Sequence, residues 1–206
     1  DKQSYWPDLS PEFLAKQYQE RKSIAAAFEQ IVQSELSAEN KINYAIIKAQ
    51  LDNKIAHYHF KSHYIPFKSE SGFHSSINFT VDATVFNKKK DIEQYINKLA
   101  AMPKYFEQNI DWMRKGLAEG ITQPQAVLVD YEHSISAFIP EKVEQSVFLK
   151  PFATSSKLID AEFVQAQRKR LVDLLTTQII PAYKNYYQFF TQEYFPNART
   201  NIAVSS

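Results

Sequence analysis

Apolar residues recur at every third or fourth position along most of the chain, and this spacing predicts amphipathic helices. Ser10 is expected to cap a first helix that runs to about Leu36, and Ser37 a second that runs to about residue 63. The side chains predicted to face inward are Phe13, Leu14, Tyr18, Ile24, Ala25, Phe28, Ile31 and Val32 in the first helix, and Ile42, Ala45, Ile46, Ala49, Ile55 and Tyr58 in the second.

A different pattern occupies residues 66–88, where Ser, Gly, His and Asn cluster and the helical spacing lapses. Ile77, Phe79 and Val81 alternate with polar residues there, as apolar residues do in a short strand. We predict an irregular loop that contains one short extended piece.

Helical spacing returns after this segment, and proline and glycine mark where helices begin and end. Pro103 suits a first helical turn, and Gly120 suits the left-handed residue that stops a helix. Thr122 can cap the next helix, and Pro181 should kink the last one because proline lacks an N–H. Helices are expected at about 91–101, 103–120, 124–138 and 160–194, with a short helical piece between Pro140 and Pro151.

These elements predict an all-α fold, an array of about six to eight helices with one irregular segment at about 66–88, in a single domain over residues 1–206. The chain has only three glycines, too few for the tight turns of a barrel or sandwich or for a glycine-rich phosphate loop. No run of 18 apolar residues occurs, so no transmembrane segment is expected.

Charge and cysteine content narrow the classes of function. The net charge of +1 gives no indication of a nucleic-acid partner. The chain has no cysteine, which excludes disulfides, thiolate zinc sites and a cysteine nucleophile. We predict no cofactor in this chain and no catalytic residue.

The histidines in the segment HYHFKSHY are the candidates for metal binding. His59 and His63 are four positions apart, which on a helix places both rings on one face at a spacing suited to zinc. A catalytic zinc helix needs Glu directly after the first histidine, and Phe60 stands there. The preferred interpretation is a helix end with partly exposed histidines; adventitious metal binding and a functional site are the alternatives.

A dense run of aromatic residues lies near the end of the last helix and covers more than one of its faces. Either other parts of the same chain cover all of these faces, or one face docks a further segment of protein. The run consists of Tyr183, Tyr186, Tyr187, Phe189, Phe190, Tyr194 and Phe195.

Two blocks of the sequence carry family-like motifs. The first comprises Pro103, Tyr105, Gln108, Ile110, Met113, Arg114, Gly116, Leu117, Gly120, Pro124 and Val127, and the second comprises Ile180, Pro181, Ala182, Tyr183, Tyr194, Pro196, Ala198 and Arg199. In these two blocks the chain resembles a bacterial family known as domain of unknown function 885. The resemblance covers most of the chain and is diffuse before residue 60, with a weaker echo at Ile65, Pro66, Gly72, Asp91 and Tyr95.

The resemblance implies a zinc-metallopeptidase-like protein of the bacterial envelope or periplasm, often a lipoprotein. Family members are longer, and their zinc-binding motif H-E-x-x-x-H-H lies beyond the two matched blocks. By this resemblance the chain is the N-terminal portion, a wall of the substrate cleft or a docking surface for a C-terminal half that binds zinc and a peptide substrate. A trimmed export signal, or an artificial boundary at which a longer sequence was cut, would fit the missing initiator Met. If the parent is a lipoprotein, its acylated cysteine would lie just upstream of Asp1.

No catalytic role is carried onto this chain by the resemblance. The matched residues Arg114, Gly116, Gly120, Pro124, Pro181 and Arg199 are interpreted as structural. The alternative hypothesis is a stand-alone helical binding module of the bacterial cell envelope that never had a zinc-binding half.

Overall fold

The computed structural model describes residues 6–69 and 71–202, which form two compact units. The smaller unit holds residues 8–63, and the larger holds residues 64–202 with Trp6 and Pro7. The described chain is all-α apart from one two-stranded hairpin, as the sequence predicts. It has seven helices longer than one turn if the long last helix is counted once. The single domain stays a prediction.

The smaller unit is a helical hairpin of α1 (Pro11–Glu29) and α2 (Ala38–His59). Both predicted caps are confirmed, because the Ser10 hydroxyl accepts the N–H of Phe13 and the Ser37 hydroxyl accepts that of Asn40. Both predicted helix ends are too late. Extended backbone at Val32 and Leu36 flanks a single 3-10 turn, Gln33–Glu35, and separates the two helices.

α1 and α2 pack antiparallel along a narrow seam. Tyr18 stacks on Tyr58 with ring centroids 4.5 Å apart, and Phe28 meets Tyr44 at 5.4 Å near the other end. The Tyr44 hydroxyl also donates to the Phe28 carbonyl at 3.3 Å. The seam consists of Leu14, Tyr18, Arg21, Ala25 and Phe28 from α1, and Tyr44, Lys48, Leu51, Ile55 and Tyr58 from α2.

The predicted inner face of α2 is wrong for four of its residues. Ile42 is 62% exposed and Ile46 is 51% exposed, and Ala45 and Ala49 beside them are also exposed. We call these four residues the α2 outer stripe. In the predicted first helix, the same correction applies to Phe13 and Ile24 of α1 and to Ile31 and Val32 in the turn after it, which are all exposed. α2 carries apolar residues on two nearly opposite sides, and periodicity alone does not say which side faces α1.

The larger unit begins with a hairpin of β1 (Phe67–Lys68) and β2 (Ser71–Gly72), followed by helix α3 (Ile77–Ala83). The short extended piece predicted at Ile77, Phe79 and Val81 is therefore wrong. Ile77 and Val81 are buried and Phe79 is exposed, which is the arrangement of residues one turn apart on a helix.

Helices α4 (Lys89–Ala100) and α5 (Met102–Ala118) follow as predicted, with Pro103 in the first turn of α5. The predicted helix at 124–138 is replaced by a 3-10 turn, Gln125–Val127, and the short α6 (Tyr131–Ser136). The reason is Asp130, whose left-handed φ of 64° interrupts the helical path. The expected helical piece before Pro151 is two 3-10 turns, Val143–Gln145 and Val147–Leu149, which lead into α7 (Lys150–Ala153).

The last helix runs without a break from Ala161 to Asn197. Two π-helical segments, Leu175–Ile179 and Phe189–Tyr194, separate α8 (Ala161–Leu174), α9 (Ile180–Gln188) and α10 (Phe195–Asn197). The first π segment ends two residues before Pro181, where the sequence predicts a kink. The wider turn accommodates a proline that cannot donate to the preceding turn.

The core of the larger unit is rich in aromatic rings. Tyr183 stacks on Phe138 at 4.8 Å and meets Phe106 of α5 edge-on at 4.9 Å. The aromatic run at the end of the chain lies in this core, since five of its members are buried and Tyr187 and Phe195 are partly buried. The interpretation that the same chain covers this run is confirmed.

Candidate functional site

The structure does not bring the two candidate histidines, His59 and His63, onto one helical face. α2 ends at His59, and the left-handed Lys61 (φ 55°) separates it from the 3-10 turn that carries His63. The exposed His59 ring meets Phe60 edge-on, whereas the His63 ring stacks on Tyr58. Neither histidine belongs to a cluster of three metal-binding side chains among residues 6–69 and 71–202.

One such cluster lies at the start of α6, where Asp130, Glu132 and His133 bring ligand atoms within 4.8 Å of one another. The side chains of Asp130 and His133 are 78% and 75% exposed, and the Nδ1 of His133 lies 3.2 Å from the Asp130 carbonyl oxygen. These residues do not fit the zinc motif that the resemblance implies, because that motif occurs nowhere in the sequence.

A buried polar cluster around His74 was not predicted from the sequence. The His74 ring lies between Ser134 of α6, 3.0 Å from Nε2, and the hydroxyl of Tyr131, 3.3 Å from Nδ1. The Tyr183 hydroxyl donates to the backbone carbonyl of His74 at 2.7 Å. More than 50 residues separate His74 from each of these partners along the chain, so local periodicity carries no signal of the cluster.

Burial sets the protonation of this cluster. It lowers the pKa of His74 to about 4, so the ring is neutral at pH 7. Desolvation raises the pKa of Tyr131, of Tyr183 and of Tyr186, and each hydroxyl keeps its proton. His74 is fully buried, so its ring has no contact with solvent. The cluster holds the chain after β2 against α6 and α9.

Gly72 allows this cluster to close. A Cβ atom there would lie 2.7 Å from the Tyr131 hydroxyl and 2.7 Å from the Cβ of Phe67. Both distances are shorter than a van der Waals contact, so any larger residue would push β1 or α6 away.

Two of the matched glycines end α5. A Cβ on Gly116 would lie 2.6 Å from the Ile121 carbonyl oxygen, so only glycine lets the loop after α5 fold back this closely. Gly120 has a φ of 71°, as the predicted left-handed stop requires.

The two matched arginines join distant segments. Arg114 of α5 makes two hydrogen bonds of 3.0 Å to the Glu193 carboxylate and lies over the Phe189 ring. Arg199 bonds Thr122 twice, from its backbone N–H to the hydroxyl and from Nε to the carbonyl. Thr122 therefore holds the segment that follows α10, and the prediction that it caps a helix is wrong.

Two open grooves lie on the larger unit. One, of about 320 Å³, lies beside the β hairpin and is lined by Ile65, Pro66, Phe67, Lys68, Ser71, Gly72, Ser75, Ser76 and Phe79. The other, of about 250 Å³, lies between α5 and α9 and is lined by Pro103, Phe106, Glu107, Gln178, Pro181, Ala182 and Asn185. The described residues that line the grooves include no histidine and no pair of carboxylates, and therefore no acid–base pair.

No helix among the described residues is long and apolar enough to cross a membrane. No curated protein and no solved structure matches the chain. The family model described as "Bacterial protein of unknown function (DUF885)" matches residues 1–203, almost the whole sequence. The chain therefore belongs to the DUF885 family of bacterial proteins of unknown function.

Proposed function

We propose that this chain is a non-catalytic helical region of an exported DUF885 protein, and that its α1–α2 hairpin docks the zinc-binding half that the resemblance implies. The observation that carries the proposal is the α2 outer stripe. Its four apolar residues, Ile42, Ala45, Ile46 and Ala49, follow helical spacing and are exposed to solvent. A continuous apolar face of this kind marks an interaction surface.

Docking would be favourable because a partner that covers the exposed isoleucines removes their apolar surface from water. Full burial of an isoleucine side chain is worth about 1.5–3 kcal/mol. Ile42 and Ile46 are more than half exposed, and Ile24 of α1 is 50% exposed. The contact between α1 and α2 is narrow, so it leaves part of the apolar surface of the hairpin exposed.

In this proposal the hairpin forms one wall of a substrate cleft. Zinc, when bound by the other half, would activate water for hydrolysis of a peptide. The residues of this chain would position that half and shape the cleft. The location in the bacterial envelope or periplasm, and the lipid anchor, are part of the same proposal and rest on the resemblance.

A photo-crosslinker placed at position 46 in the native host tests the occupant of the stripe. Benzoylphenylalanine at Ile46 should crosslink to a segment of the same polypeptide beyond Ser206 that contains a zinc motif. The matched control is the same crosslinker at Asn43, which is exposed on another face of α2. A crosslink to a different polypeptide would favour the stand-alone binding module, and no crosslink at position 46 would contradict docking.

The intact mass of the endogenous protein gives an independent test. An antibody against this chain should retrieve a product much larger than the 23.9 kDa of these 206 residues. A product close to that mass would remove the zinc-binding half from the proposal.

A further inference from the structure

Three tyrosines of the larger unit pack around one phenyl ring, that of Phe190. Between ring centroids, Tyr131 of α6 lies 4.9 Å from it, Tyr194 lies 6.0 Å and Tyr186 of α9 lies 6.5 Å. Tyr186 and Tyr194 are fully buried, and Tyr131 is 3% exposed. Burial raises the pKa of Tyr186, and the hydroxyls of Tyr131 and Tyr194 raise it further. The three hydroxyls therefore lie close enough to act on one another electrostatically.

The Tyr186 hydroxyl has no hydrogen-bond partner among residues 6–69 and 71–202. The Tyr131 hydroxyl lies close to it, but no direct hydrogen bond joins the two. A buried hydroxyl that has given up water without a replacement costs free energy, so such groups are normally bonded to protein or to an ordered water molecule. The unpartnered Tyr186 hydroxyl therefore points to a bound molecule.

Tyr194 has a proton to donate to the same molecule. Its oxygen accepts the backbone N–H of Gln123 at 3.3 Å. Its own O–H has no acceptor in the part of the chain that the structure describes. The site therefore contains two phenolic protons without an acceptor, those of Tyr186 and Tyr194.

Tyr131 contributes an acceptor instead. The Ser134 hydroxyl donates to the Tyr131 carbonyl at 2.7 Å, so its oxygen accepts from Nε2 of the neutral His74 ring. Nδ1 of His74 then carries no proton and accepts from the Tyr131 hydroxyl at 3.3 Å. The proton of Tyr131 is thus in use, and the lone pairs of its oxygen are free to accept.

We propose that the hydroxyls of Tyr131, Tyr186 and Tyr194 form a binding site for a single water molecule, which we call the tyrosine site. The water accepts the protons of Tyr186 and Tyr194 and donates one of its own to Tyr131. Three partners are the usual number for a buried water. A halide ion cannot donate to the lone pairs of Tyr131, so water fits the site better.

The water extends the His74 cluster into the last helix. Through Tyr186 it reaches α9, and through Tyr194 it reaches the π-helical segment that follows. The chain of hydrogen bonds begins at the partly exposed Ser134 and ends in the core. It ties α6 to two successive stretches of the last helix. The proposal is independent of the docking role of the α1–α2 hairpin.

A high-resolution crystal structure of the full chain tests the tyrosine site directly. One density peak should lie about 2.7–2.8 Å from each of the three hydroxyl oxygens. The absence of this peak would overturn the proposal, whether or not the hydroxyls then bond one another directly. Crystals soaked in bromide distinguish water from an anion, and an anomalous peak at the site would also overturn the proposal.

Tyr186→Phe tests the site in solution, because the sign of its effect depends on the water. If the water is present, the change removes a hydrogen bond and should raise the equilibrium constant for unfolding about fivefold. If the site is dry, the change removes an unsatisfied hydroxyl and should lower that constant.

Urea unfolding measures the constant. The matched control is Tyr95→Phe, which removes a hydroxyl that donates directly to the Phe148 carbonyl at 2.9 Å and should raise the constant. A constant that stays the same or falls in Tyr186→Phe, while it rises in Tyr95→Phe, would overturn the proposal.

Discussion

At the scale of single residues, His74 shows how burial sets a chemical state. Its ring is fully buried and bonded to neutral hydroxyls, so a charged imidazolium would lose water without gaining a counter-ion. The folded protein therefore holds the ring neutral, with its pKa lowered to about 4.

This state makes stability depend on pH. The unfolded chain titrates His74 near pH 6.5 and the folded chain near 4, so the unfolded state binds the extra proton between these values. The contribution of neutral His74 to the free energy of unfolding is complete above pH 6.5 and is lost as the pH falls. The loss amounts to about 3 kcal/mol by pH 4.

Urea unfolding at pH 7.5, 6, 5 and 4 measures the effect. Other groups also titrate in this range, so the wild type is compared with the variant His74→Gln. Between pH 7.5 and 5 the variant should lose less stability than the wild type. His133→Gln, a change at an exposed histidine, should keep the wild-type slope. Equal slopes in all three proteins would contradict the assignment to His74.

Gly72 and Gly120 provide a second test with residues of the same type. Gly72→Ala should destabilise the protein by about 1–3 kcal/mol, because its Cβ would overlap Phe67 and Tyr131. Gly120→Ala meets no atom within 4 Å and should cost about 1 kcal/mol, because alanine disfavours positive φ. Denaturant midpoints show which variant is less stable. A larger loss of stability for Gly120→Ala would show that the β hairpin shifts at little cost to accommodate the new Cβ.

At the scale of elements, α2 shows why an apolar pattern can mislead. Tyr44 and Leu51 are buried in the seam, whereas Ile42 and Ile46, with stronger apolar character than Tyr44, are exposed. Which side of α2 is buried depends on how α1 packs against it. The sequence of α2 alone contains no information about that packing.

Two truncations compare the two sides of α2. Leu51→Ala removes a buried side chain and should cost about 2–3 kcal/mol of the stability of the hairpin. Ile46→Ala should change it by less than about 0.5 kcal/mol, because the side chain already contacts water. The loss of helical circular dichroism on heating measures both, and similar losses would mean that the α2 outer stripe is covered in solution.

The same comparison shows how far the sequence predicts this fold. Capping serines, Pro103 and Gly120 fixed helix boundaries correctly, because a cap or a positive φ is a local requirement. The sequence around α3 is ambiguous, because Ile77 and Val81 fit both the two-residue spacing of a strand and the four-residue spacing of a helix. The His74 cluster could not be predicted, since its partners meet only after α6 and α9 pack.

At the scale of the whole molecule, burial is distributed unevenly. Within residues 6–69 and 71–202, the buried apolar side chains of the smaller unit are Tyr44 and Leu51, and all other buried apolar side chains lie in the larger unit. A unit with few buried side chains opens at lower free energy.

Native-state hydrogen exchange should therefore distinguish the two units. Amides of α1 and α2 should exchange markedly faster than those of α5 and α9, which contain the fully buried Phe106 and Tyr183. Mass spectrometry of peptic peptides resolves these helices. Equal protection in all four would show that the hairpin opens only when the whole protein unfolds.

The position of the two tryptophans lets fluorescence follow the unfolding of the larger unit alone. Trp6 stacks on Tyr105 and Trp112 stacks on Tyr64, so both indoles belong to the larger unit. The chain has no other tryptophan, and residues 8–63 are therefore silent in indole emission. Far-ultraviolet ellipticity reports α1 and α2 as well. A gap between the two melting curves would measure how independently the hairpin unfolds, with no label and no mutation.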